Sequence, residues 1–133
     1  YKIKRVKMTN LLWVGCGGFI GSICRYSLNG LIQRFLTQPW LPYGTLVINL
    51  LGCFLIGLLS GLSEMRQFLS PEFRLMVFIG LLGGFTTFST FGYESYGLAK
   101  NGDFSATLFN IAIHVIFGLF AVWLGDYIAK FNL

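Results

Sequence analysis

Charge is what this sequence has least of. Only 11% of its 133 residues are Asp, Glu, Lys or Arg, and just 5 are acidic, where a soluble domain carries roughly a quarter charged residues. With a mean hydropathy of +0.69, that scarcity excludes an ordinary water-soluble fold. Histidine occurs once, and the three cysteines, Cys16, Cys24 and Cys53, form neither a CxxC pair nor a cluster with histidine. These absences argue against a zinc site or a disulfide framework, and the thiols read as small apolar packing residues. No nucleophile and base stand together, so the chain is not read as an enzyme. Long polar linkers are missing too, as is a cleavable signal peptide, because the first apolar run is long enough to remain as a span.

What the sequence does contain is apolar runs. Four of them, at about 11–32, 44–62, 75–98 and 105–128, have the length of a membrane helix, roughly 20 residues each. Together they use nearly the whole chain, which predicts an all-α membrane protein with a single four-helix transmembrane domain over 1–133. The net charge of +5 does not point to nucleic acid. The basic residues fall at span ends and in short loops, where they set topology and meet lipid headgroups.

The third run carries the least ordinary stretch, Gly80-Leu-Leu-Gly83-Gly84-Phe85-Thr86-Thr87-Phe88-Ser89-Thr90-Phe91-Gly92. Adjacent glycines lose the most backbone entropy on ordering, and the hydroxyls of Thr86, Thr87, Ser89 and Thr90 compete for backbone partners. A helix broken near 83–87 is expected, close to the bilayer midplane. Irregular backbone at that depth is tolerated only when buried in protein or lining a cavity. The competing reading is a continuous helix with a close-packed Gly/Thr interface.

Along the rest of the chain, a basic leader (Lys2, Lys4, Arg5, Lys7) precedes Met8. Span 1 holds a Gly17/Gly21 GxxxG pair for close helix approach. Arg25, inside that span, either snorkels to an interface or draws anions into a vestibule. Pro39, Trp40 and Pro42 end the first connector. In span 2, Asn49 stands among aliphatic residues with Thr45 one turn earlier, and both helix-to-helix bonding and pore lining fit it. Ser70-Pro71-Glu72 is a helix start. After the turn Lys100-Asn101-Gly102-Asp103, Asn110, His114 and Gly118 recur every four residues of span 4. That stripe fits a hydrogen-bonded helix contact or one wall of a hydrated path.

Four spans put both termini on one side, with Lys2, Lys4, Arg5, Lys7, Arg66, Arg74 and Lys130 there and Arg25, Arg34 and Lys100 opposite. Without the leader the two sides balance, three against three. A chain so balanced inserts both ways, and two oppositely oriented copies would bring their span-3 breaks together, making a cage of carbonyls suited to a small hard cation.

The run Gly83-Gly84-Phe85-Thr86-Thr87-Phe88-Ser89-Thr90-Phe91, with Gly44-Thr45-Leu46-Val47-Ile48-Asn49 in span 2, Arg25 in span 1 and Glu94 after the motif, resembles the Fluc/CrcB fluoride channels over the whole chain. The resemblance implies an antiparallel, dual-topology homodimer in the bacterial inner membrane that exports fluoride passively through two pores, with a structural sodium ion at the dimer centre. It implies that Phe88 and Phe91 line the ion pathway with Thr45, Ser89 and Thr90, that Asn49 donates its amide to fluoride, and that the carbonyls of Gly83 and Thr86 hold the sodium. Arg25 and Glu94 take vestibule or structural places. Asn110 and His114 occupy a face where small hydroxyl residues are expected. A small multidrug-resistance-type antiporter is the alternative, and it needs a central membrane carboxylate. Span 1 has none, and Glu94 lies toward the end of span 3.

Overall fold

The computed structural model describes residues 7–36, 40–66 and 69–131. Lys2, Lys4 and Arg5 of the leader and Pro39 of the first connector lie outside the described residues. The described chain is all-helical. Helix α1 is Met8–Phe35 and α2 is Tyr43–Arg66. The third span, Pro71–Lys100, comes in two halves, α3 (71–85) and α4 (Phe88–Lys100). Helix α5 is Phe104–Phe131. All four spans are long and apolar enough to cross a membrane, and the helices run past the apolar runs at both ends.

Local signals set the ends. The Ser70 hydroxyl accepts from the Phe73 N–H at 3.2 Å, with Pro71 in the first turn, a position where its missing N–H leaves nothing unpaired. Gly102, at φ 82°, adopts the left-handed turn that glycine takes without a Cβ clash. Asp103 then caps α5: its carboxylate accepts from the Ala106 N–H and the Ser105 hydroxyl, each at 3.0 Å. Those bonds hold its carboxyl below the usual carboxylate range.

One winding is not marked in the sequence. Between Pro71–Arg74 and Leu82–Phe85, residues Leu75–Leu81 form a π-helical stretch, in which each N–H reaches back five residues. It lies along one of the two closest helix contacts of the fold. A Cβ on Gly17 would strike the Met76 carbonyl, and one on Gly21 would strike the Leu81 carbonyl. The GxxxG pair thus lets α1 seat directly on the α3 backbone.

The other close pairing is α2 with α5, while α4 also packs on α5. Here Gly57 faces the Val122 carbonyl, and Gly125 faces the Phe54 carbonyl. The fold turns its large apolar side chains outward: Phe19, Leu108 and Leu119 are about 70% exposed. Its fully buried side chains include Ile48 and the polar Asn110, and Thr45 is buried as well. Lipid tails are as apolar as leucine, so such a bundle is held by backbone approach and internal polar bonds rather than by hiding hydrocarbon.

Gly21→Ala is expected to lower unfolding stability in detergent by about 1–3 kcal/mol, the usual cost of overpacking. Gly15→Ala meets nothing within 4 Å and should leave stability within about 0.5 kcal/mol. Equal unfolding midpoints for the two variants would contradict the α1–α3 contact.

Candidate functional site

The third span stops being helical at two residues. Thr86 (φ −82°, ψ 160°) and Thr87 (φ −151°, ψ 108°) are extended, midway along the 30-residue span. The interruption therefore falls at the C-terminal end of the expected 83–87 window, and the Gly83-Gly84 pair itself stays helical within Leu82–Phe85. Both glycines of that pair need not be loop residues: a Cβ on Gly84 would lie 2.7 Å from the Gly18 carbonyl of α1, so close packing is what Gly84 serves.

Extended backbone inside an apolar span strands polar groups, and Asn49 takes them up. Its Oδ1 accepts from the Thr87 N–H at 2.9 Å, and its Nδ2 donates to the Thr87 carbonyl at 3.2 Å. In a continuous helix that N–H would return to the Gly83 carbonyl. Thr86 keeps its N–H on the Leu82 carbonyl at 3.0 Å, and its hydroxyl donates to the same oxygen at 2.9 Å. The Thr86 carbonyl points away from the ladder and, among the described residues, meets only a long contact, 3.5 Å, from Arg25 Nη1.

Thr87 also starts the next helix. Its Oγ1 accepts from the Thr90 N–H at 3.2 Å and shares hydroxyl bonds with Thr90 at 2.9 Å and Ser89 at 3.2 Å. The 13-residue α4 thereby directs its partly positive N-terminal end at the break. Two cavities open beside it, and Thr87 borders both. The larger, about 370 Å³, is bounded by Asn49, Cys53, Phe88, Phe91 and His114 among others, and by no Asp, Glu, Lys or Arg among the described residues. The other, about 280 Å³, is bounded by Arg25, Asn29, Thr45 and Thr90 among others.

The residues singled out in the sequence are placed as follows. Phe88 and Phe91 lie with ring centroids 5.5 Å apart, and Phe91 packs on His114 at 4.4 Å. Phe88 is 83% exposed, on a face no other part of the described chain covers. Thr45 is turned to Glu94, its Oγ1 donating to Oε1 at 2.7 Å, and Glu94 Oε2 is buried without a bond among the described residues. Asn110 is fully buried and does not border the larger cavity. Its Nδ2 donates to the Ser95 hydroxyl at 3.0 Å, which donates in turn to the Phe91 carbonyl at 2.8 Å. Asn110 therefore fixes the turn of α4 that carries Phe91.

Two residues that matter here went unassigned in the sequence. Thr87 was legible as an N-cap, since a threonine three residues before Thr90 at the edge of an apolar run is such a signal. Ser95 carried no signal, because its role depends on which residue of α5 comes opposite.

The profile described as "CrcB-like protein, Camphor Resistance (CrcB)" matches residues 12–126. A protein of Methanosarcina acetivorans named fluoride-specific ion channel FluC 1 is 45% identical over 126 residues, covering 95% of this chain and 94% of the relative. Proteins named fluoride-specific ion channel FluC are 50% identical in Chloroflexus aurantiacus, over 89% of this chain and 93% of the relative, and 38% identical in Methylobacillus flagellatus, over 95% and 98%.

Removing the Asn49 amide should expose the break. Asn49→Leu leaves the Thr87 N–H and carbonyl unpaired, at about 1–3 kcal/mol each, and is expected to speed hydrogen exchange of the Thr87 amide by about tenfold or more. Asn49→Asp keeps an acceptor for that N–H and should preserve most of its protection. Identical exchange in the wild-type and Leu forms would show that Asn49 does not brace the backbone.

Proposed function

This chain belongs to the CrcB-like protein family, and from that premise we propose that it is a fluoride-selective ion channel exporting fluoride passively down its electrochemical gradient. The observation that carries the proposal is the combination at the break. Two phenyl rings and an amide border a cavity that contains no formal charge of either sign.

Fluoride is small and gives up its hydration reluctantly, so a route for it must replace water with donors. It must also not hold the ion too tightly to leave. A primary amide has two N–H groups. Asn49 spends one on the Thr87 carbonyl, which fixes the amide plane and leaves the other for the anion. Phe88 and Phe91 offer the positive edges of their rings. The N-terminal turn of α4, with Ser89 and Thr90, adds backbone and hydroxyl donors around partial rather than full positive charge. On the other side of Thr87, Arg25 raises the anion concentration of the second cavity, and Thr45, oriented by Glu94, lies on its wall. Asn110 acts on this route through Ser95 and the Phe91 backbone.

We take the working unit to be an antiparallel homodimer. The exposed Phe88 and the unpartnered face around it support this, as does the balance of basic residues once the leader is set aside. The Gly83 and Thr86 carbonyls suit a structural sodium ion in that unit. Asn49 has taken the N–H that would bond Gly83, and Thr86 faces out of the helix. The long Arg25 contact occupies at most one of the two Thr86 lone pairs. Such an ion would tie the breaks of the two copies together. We place the chain in the inner membrane of a bacterial cell, as the resemblance implies, although one similar relative belongs to an archaeon. The antiporter alternative needs a carboxylate at the centre of the membrane, whereas Glu94 stands toward the end of the third span, held by Thr45.

Phe88→Ile and Phe91→Ile are each expected to slow fluoride efflux from liposomes by about tenfold or more, which takes only ~1.4 kcal/mol of added barrier. Their elution in detergent should match the wild type. Wild-type efflux from both variants would contradict the assignment of the rings to the pathway.

A further inference from the structure

Asn49 secures Thr87 at the break, and Gly52, further along the same helix, meets Thr86. A Cβ built on Gly52 would strike the Thr86 methyl carbon, Cγ2. The next neighbours of that Cβ, Phe85 Cδ1 at 3.5 Å and Thr86 Cβ at 3.6 Å, stand at ordinary contact distance. The buried Gly52 is therefore a seat for one methyl group. Gly83 and Gly92, which belong to the broken span itself, have open space among the described residues where a Cβ would go.

The seat decides how Thr86 can stand. Its Cβ carries two heavy atoms, so χ1 rests in one staggered well or another. In the one present, Oγ1 donates to the Leu82 carbonyl at 2.9 Å while Cγ2 lies against Gly52. Turning χ1 one way would put the hydroxyl in the seat, and turning it the other way would put the hydrogen there but swing Oγ1 off the Leu82 carbonyl. The hydroxyl bond thus requires room for the methyl.

The Thr86 N–H is held on the same Leu82 oxygen at 3.0 Å, so amide, hydroxyl and methyl fix this residue together. The Thr86 carbonyl and the Thr87 N–H belong to one trans peptide plane and point opposite ways. That N–H is the one Asn49 Oδ1 accepts at 2.9 Å. A Thr86 pushed out of its seat turns the carbonyl and loosens the Asn49 bond at once.

Resting on the channel reading given above, we propose that Gly52 is a positioning residue for the ion pathway: by admitting the Thr86 methyl, it sets the direction of the Thr86–Thr87 peptide at the break. Helix α2 then holds the two extended residues by two devices, an amide for the backbone of Thr87 and a gap for the side chain of Thr86. The direction of the Thr86 carbonyl depends on both.

The test is a double-mutant cycle on fluoride efflux from proteoliposomes. Gly52→Ala is made in the wild type and in Thr86→Ser, which keeps the hydroxyl but lacks the carbon that the new Cβ would strike. In the wild type it should slow efflux by about tenfold or more, and in the Thr86→Ser background by less than about threefold. Equal slowing in the two backgrounds, or none in the wild type, overturns the inference and leaves the channel reading intact. No efflux from the wild type overturns both. Amide hydrogen exchange separates positioning from general loosening. In Gly52→Ala the exchange rate at Thr87 should rise about tenfold more than at Val122, which lies in the α2–α5 contact, and equal rises at the two would overturn the inference. The wild type gives a readout that needs no folded variant: three-bond couplings of a labelled Thr86 methyl should report a single χ1 rotamer. Averaging over several rotamers would overturn the inference.

Discussion

Two extended residues in the middle of an apolar span depend on one amide. Hydrocarbon offers no partner to a free N–H or carbonyl, so a break at Thr86 and Thr87 persists only if the protein supplies what the helix gave up. Asn49 does so from α2, accepting with one end of its amide and donating with the other. Two buried groups left unpaired would cost about 1–3 kcal/mol each, a large share of the net stability of a small protein. The side chain that supports the break therefore also stands at the cavity the break creates. Those two bonds fix the plane of the amide and use one of its two N–H groups.

The neighbouring elements hold that arrangement in register. Glycines of α1 let α3 come into backbone contact, which brings Arg25 to the Thr86 carbonyl. Thr87 ends one half-helix and caps the next, so Phe88 and Phe91 project from the first turn of α4, next to that cap. Asn110 and Ser95 then anchor that turn to α5. The site is thus assembled from every span, although its charged groups are few. A pathway for an anion gains from that economy, since donors without full charge bind weakly enough to release.

Much of this was legible in the sequence, for identifiable reasons. Membrane spans announce themselves by length and apolarity, and Gly83-Gly84 followed by hydroxyls and phenylalanines marks a break because those residues weaken a helix. Asn49 stood out because an amide among aliphatic neighbours must find partners. Its partner was not legible, since pairing with Thr87 depends on how α2 and α3 meet. For the same reason the sequence left Asn110 open between a helix-to-helix contact and one wall of a path, and the structure turns it toward Ser95. The π-helical stretch at Leu75–Leu81 left no trace in residue types either; it lies where α3 packs against the glycines of α1.

The central claim is that this interrupted span forms a passive route for fluoride, and charge balance tests it most directly. Liposomes carrying the protein and loaded with potassium fluoride, diluted into potassium-free medium, should release fluoride only when a potassium ionophore lets the counter-charge follow. Release should need no proton gradient, and liposomes loaded with potassium chloride should retain their anion. Fluoride release without the ionophore beyond that of protein-free liposomes, or chloride release at a comparable rate, would contradict the account.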